Sequence, residues 1–113
     1  YTFSANQAPV RFVVTPIVLR IGQGNATIRF QVSSPSGASV PVRVDVLDVQ
    51  GRRVATLADG VRFPGPQVLA WDGRRGIGSD TAGPAGTRVA TGMYFVSVQA
   101  GGMRYMAKLP VLR

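Results

Sequence analysis

The sequence predicts an all-β fold, an antiparallel β-sandwich of about seven to eight strands, and three observations predict it. Valine, glycine and proline are plentiful while glutamate is absent and lysine occurs once, at Lys108, so strong helix formers give way to residues that suit strands and turns. Several segments alternate apolar and polar residues with the two-residue period of a half-buried strand. Turn clusters separate these segments at intervals of roughly 8–12 residues, the spacing of a sandwich. A chain of 113 residues suffices for one domain with its own core.

The elements follow in order. Val10-Arg11-Phe12-Val13-Val14 is a short apolar run closed by Thr15-Pro16, and Ile17–Ile21 is a second run ended by Gly22-Gln23-Gly24-Asn25. Thr27–Val32 sends Ile28, Phe30 and Val32 to one face and Thr27, Arg29 and Gln31 to the other. After the turn cluster Ser33–Gly37, Val40–Val46 places Val40, Val42, Val44 and Val46 inward and Arg43 and Asp45 outward. Asp48-Val49-Gln50-Gly51 suits a tight hairpin with a bulge, Gly51 supplying a positive φ. Arg52–Leu57 is its return strand, Asp59-Gly60 reads as a second turn, and Phe63-Pro64-Gly65-Pro66 forces a reversal before Gln67–Trp71. Beyond a long glycine-rich connection come Met93–Gln99, the turn Ala100-Gly101-Gly102, and a last strand from Met103 to Leu112. No segment reads as a helix, and apolar runs such as Phe12–Val14 and Ile17–Leu19 are far too short for a transmembrane helix.

Composition narrows the chemistry. The chain has no histidine, cysteine or glutamate, which removes Ser-His-Asp and Cys-His arrangements, disulfides and the usual zinc ligands. Five aspartates remain, and Asp48, Asp59 and Asp72 sit at turns, where aspartate bonds nearby backbone. Asp72 and Asp80 are weak calcium candidates with loop carbonyls. No cofactor is expected. The glycine-rich stretch matches neither a P-loop nor a dinucleotide fingerprint; Arg74, Arg75 and Arg88 instead make it a candidate contact loop.

The formal charge of +8 comes from arginines spread along the whole chain, several set singly between apolar neighbours, as in Ile28-Arg29-Phe30. That spacing describes a solvated β-surface with attraction for anionic polymers, and it argues against specific nucleic-acid recognition. Trp71, Phe63 and Tyr105 are aromatic enough for a carbohydrate platform, although Trp71 is expected in the core.

Taken in order, Ala26-Thr27-Ile28-Arg29-Phe30, Val44–Val54 with its Asp48-Val49-Gln50-Gly51-Arg52 turn, Trp71-Asp72-Gly73, Ala90-Thr91-Gly92-Met93-Tyr94-Phe95 and Lys108-Leu109 resemble the FlgD-like immunoglobulin-like family. The pattern is similar to the C-terminal sorting domains of type IX-secreted proteins, with Ser79–Thr87 as an insertion. The resemblance implies an immunoglobulin-like sandwich over residues 15–113, preceded by an extension, residues 1–14, with a possible exchanged or edge strand. It assigns structural roles to Gly51, Trp71, Gly92 and Tyr94, and implies a non-enzymatic protein of secretion, attachment or assembly.

The start at Tyr1 is that expected of a processed or excised chain, and export to the cell surface or medium is the expected location. The function expected is a self-assembling surface or filament subunit, bacterial in type, whose partners are copies of itself or an export component. Val10, Phe12 and Val14 would form its assembly strand. Two alternatives stand beside it: a sorting or attachment domain of a type IX-secreted protein, and a carbohydrate- or anionic-polymer-binding module.

Overall fold

A computed structural model describes residues 10–12, 17–21, 24–34, 37–77, 79, 84–100 and 102–113. Among them every regular element is a strand, so the chain is all-β. The strands are β1 (Val10–Phe12), β2 (Leu19–Arg20), β3 (Ala26–Val32), β4 (Val40–Leu47), β5 (Arg53–Arg62), β6 (Gly65–Trp71), β7 (Gly92–Ala100) and β8 (Met103–Leu112). They form a three-stranded sheet in the order β1-β3-β6 and a five-stranded sheet in the order β2-β8-β7-β4-β5. No described helix is long and apolar enough to cross a membrane.

Alternation becomes burial. In β3, Ala26, Ile28, Phe30 and Val32 are buried while Thr27 and Arg29 face solvent. The five-stranded sheet contributes Val42, Val44, Val46, Val96, Val98, Leu109 and Val111 to the same core. Each large side chain buried there contributes about 1.5–3 kcal/mol of transfer free energy, so the core is built without a disulfide.

Two expectations change. Asp59-Gly60 is not a turn: β5 runs through it, because Arg43 and Val42 of β4 stand opposite these residues and supply the ladder partners. The pairing is also not antiparallel throughout, since β2 runs parallel to β8, with Leu19 opposite Val111 and Arg20 opposite Leu112. The Phe63-Pro64 reversal and the Asp48–Gly51 hairpin are where the sequence puts them, and Gly51 has φ +80°.

Two register shifts disturb the β4–β5 ladder. The partner of β4 steps from Ala58 to Thr56 between Val44 and Asp45, and from Ala55 to Arg53 between Val46 and Leu47. Leu57 and Val54 are thus the extra residues of two bulges, which add local twist. Across the outer face of this sheet the register sets side chains in rows, one of which runs Arg104, Gln99, Arg43, Asp59 over four adjacent strands. The next runs Met106, Ser97, Asp45, Thr56.

Candidate functional site

Within the long connection between β6 and β7, the described segments, residues 73–76 and 86–89, form a narrow ribbon. Arg74 bridges Arg88 antiparallel. The Arg75 amide donates to the Thr87 carbonyl at 2.8 Å, Gly86 N–H to the Arg75 carbonyl at 2.8 Å, and Val89 N–H to the Gly73 carbonyl at 2.9 Å. The three arginines of the contact loop therefore come together, but two of their guanidiniums serve the ribbon itself. Arg74 Nη1 donates to the Gly86 carbonyl at 2.8 Å; Arg75 Nη1 donates to the Arg88 carbonyl at 2.7 Å and to Thr87 Oγ1 at 3.0 Å.

The ribbon is anchored at both ends. Gly73 has φ +79°, which favours glycine, and a Cβ there would lie 2.6 Å from Leu19 Cδ2, so a side chain would also make Leu19 shift. Trp71, only 2% exposed, donates from Nε1 to the Arg74 carbonyl at 3.0 Å. Its ring meets Tyr94 edge-on at 5.9 Å. Tyr94 donates from its hydroxyl to the Ala90 carbonyl at 2.7 Å, pinning the chain as it enters β7. Burial pushes the Tyr94 hydroxyl above its ordinary pKa; the nearby Arg75 charge opposes the rise and Asp48 adds to it. Trp71 and Tyr94 thus act as core anchors with satisfied polar tips, and Trp71 offers no platform to a sugar.

The ribbon also closes part of a sheet edge. Gly76 N–H donates to the Val54 carbonyl at 3.0 Å, and Ser79 Oγ donates to the Arg53 carbonyl at 3.2 Å. A Cβ at Gly76 would sit 3.2 Å from Ala55 Cα, a measure of how closely the two backbones approach.

Asp72 accepts from the Arg74 amide at 3.0 Å and lies 3.9 Å from Arg74 Nε. Its carboxylate caps a turn, and Asp80, its expected calcium partner, lies outside the described residues. Among the described residues no three metal-ligating side chains gather. Asp48 shows how fully a turn aspartate can be used: Oδ1 accepts from the Gln50 and Arg52 amides, each at 2.9 Å, and Oδ2 from Arg52 Nε at 2.9 Å. Burial pushes its pKa up, but the bonds from Arg52 and Gln50 outweigh it and hold the carboxyl below its ordinary 3.8.

The expected assembly strand is in part described. Strand β1 pairs antiparallel with β3 of its own chain, Val10 opposite Val32, Arg11 opposite Gln31 and Phe12 opposite Phe30. It is an edge of the three-stranded sheet. Val14 lies outside the described residues. Gly92 opens β7 with φ +150°, a backbone setting that suits glycine.

Sequence reading missed a polar network on the outer face of the five-stranded sheet. Asp45, 5% exposed, accepts from Arg43 Nε at 2.9 Å and from Thr56 Oγ1 at 2.7 Å. The Asp45 hydrogen bond and charge raise the Arg43 pKa further, against a smaller desolvation effect. Beside Asp45 in register stands Ser97, also buried, whose hydroxyl finds no partner among the described residues. A lone aspartate in a valine strand signals none of this, because the register that assembles it depends on the bulge at Leu57.

No protein-family model matches the sequence, and no curated protein matches it. By structure the chain is similar to the Pseudomonas fluorescens alkylpurine DNA glycosylase AlkC, solved bound to DNA containing an abasic site analogue, at 19% identity and a TM-score of 0.46. The match covers 94% of this chain and 31% of the glycosylase chain, so this chain spans under a third of that protein's length. The expectation that the protein is not an enzyme is corrected by this finding, since the similar structure belongs to an enzyme. At that TM-score the glycosylase's activity and DNA contacts remain its own.

Proposed function

We propose that the chain is an exported structural module with an immunoglobulin-like sandwich fold of the FlgD-like kind, joined to neighbouring copies by exchange of its N-terminal strand. Two features support the fold. The orders β1-β3-β6 and β2-β8-β7-β4-β5 correspond to strands A-B-E and A′-G-F-C-C′ of an immunoglobulin-like sandwich. The Tyr94 hydroxyl bond to the Ala90 carbonyl, at the start of β7, matches the tyrosine corner of such folds.

The observation that carries the assembly reading is the isolation of β1. It is an edge strand held over three register pairs, and β2, the next strand along the chain, belongs to the other sheet. Its departure leaves every other strand pair intact and opens the β3 edge to the same segment of a second copy, in the manner of strand addition. Head-to-tail repetition of that contact gives a filament.

Sedimentation of the full chain over a range of concentrations tests this reading. Oligomers are expected, along with a monomeric, folded variant lacking residues 1–14 that recovers association when mixed with a peptide of residues 1–14 bearing a second binding segment. A full chain that stays monomeric at every concentration rejects strand exchange.

A further inference from the structure

The row Arg104, Gln99, Arg43, Asp59 forms the floor of an open groove of about 630 Å³ across the outer face of the five-stranded sheet, within the usual size of a ligand site. Exposed Val61, two residues from Asp59 on the same side of β5, lines it as well. Strand spacing sets the Cα atoms of Arg104 and Arg43 roughly 10 Å apart, with Gln99 between them. Arg43 is held for binding: its Nε is tied to buried Asp45 at 2.9 Å, while Nη1 and Nη2 reach Asp59 and Thr56 at only 3.4 and 3.5 Å. The outer edge of that guanidinium is oriented yet weakly engaged, so a better-placed carboxylate displaces those long contacts.

We propose that this groove binds a uronate-bearing polysaccharide, a ligand beyond the assembly role above. Carboxylates on alternate uronate residues, about a disaccharide's length apart, meet the two guanidiniums. Ring hydroxyls donate to the Asp59 carboxylate and the Gln99 amide oxygen, and the C–H face of a sugar lies on Val61. A neutral glycan is disfavoured because, among the described residues, no aromatic side chain lines the groove. A densely sulfated polymer is disfavoured by Asp59, whose side chain is 65% exposed beside Arg43. An acidic peptide is disfavoured because the floor of the groove crosses the strands and presents side chains, the free backbone of β5 lying only along its border. The net charge of +8 adds long-range attraction, which salt weakens.

Calorimetric titration of the full chain at physiological salt tests the proposal, with oligogalacturonate as probe and dextran, dextran sulfate and polyglutamate as comparators. Oligogalacturonate is expected to bind more tightly than all three. Arg104→Ala is expected to weaken it at least tenfold and Gln99→Ala several-fold, whereas Arg29→Ala, on the other sheet, leaves it unchanged; thermal melting verifies that each variant is folded. Absence of oligogalacturonate binding overturns the proposal. Equal losses at Arg29 and Arg104, or tighter binding of dextran sulfate, overturn it in favour of diffuse charge, and equal binding of polyglutamate overturns it in favour of an acidic peptide. A variant lacking residues 1–14 is expected to bind as the full chain does, so failure of strand exchange leaves this result standing.

Discussion

The two halves of β5 treat the same problem differently. Over Arg53–Leu57 the strand carries both bulges, and the ribbon covers its outer edge through Gly76 and Ser79. Over Ala58–Arg62 the register with β4 is regular, and among the described residues β5 pairs with β4 alone. An exposed strand edge invites pairing with other chains, and bulges and covering loops are the usual protections. Here protection is concentrated at one end. The open end borders the groove, where side chains rather than a covering loop set what binds. Irregular backbone in this sheet marks closure, and regular backbone marks accessible surface.

The largest expected break in this contrast comes from Gly73→Val. A branched side chain is strained at its positive φ and displaces Leu19 from the core, so the ribbon detaches at a cost of about 3 kcal/mol. Chemical denaturation measures the loss, and faster hydrogen exchange at Gly76 reports the opened edge. Retained protection at Gly76 would separate ribbon closure from its glycine base. A smaller effect is expected from Trp71→Phe, which keeps most of the buried ring but leaves the Arg74 carbonyl without its 3.0 Å donor, at about 1–3 kcal/mol.

Much of this was readable from the sequence, and the unreadable parts have a common cause. The alternation of Thr27–Val32 gave its buried face directly, because one side of that strand lies in the core, whereas in Val40–Val46 Asp45, expected outward, is buried on the outer face against Arg43 and Thr56. Asp59-Gly60 was misleading: a pair typical of turns is carried through β5 by the ladder with Val42 and Arg43, a tertiary constraint absent from local sequence. The row linking Arg104, Gln99 and Arg43 spans residues 61 positions apart in the chain. Cross-strand rows depend on register, and here two single-residue bulges set the register along part of β5.

Asp48 sharpens the sealed half from its turn. Asp48→Ala removes three hydrogen bonds, one of them from a guanidinium, and is expected to cost about 1–2 kcal/mol. Its pH dependence has a fixed sign. Because the folded pKa is depressed, the stabilisation is complete above the ordinary carboxyl value of 3.8 and is lost as pH falls through the lower folded value. Acid denaturation of Asp48→Asn is therefore expected to show less pH dependence below 3.8 than the parent.

The smallest effect on stability, and the clearest on behaviour, is expected in the open half. Val61 is largely exposed on the regular part of β5. Val61→Lys is expected to change stability by less than about 0.5 kcal/mol, as exposed positions do, while a lysine on an edge discourages pairing with another strand. The same lysine within the sealed half would add no protection, because the ribbon already occupies that edge. Light scattering on heating separates the two cases: Val61→Lys should delay aggregation without moving the melting temperature, whereas Thr56→Lys, on the sealed half, should lower the melting temperature by removing the hydroxyl that donates to Asp45. If both variants delay aggregation equally, net charge rather than edge exposure governs association, and the contrast between the two halves of β5 loses its functional meaning.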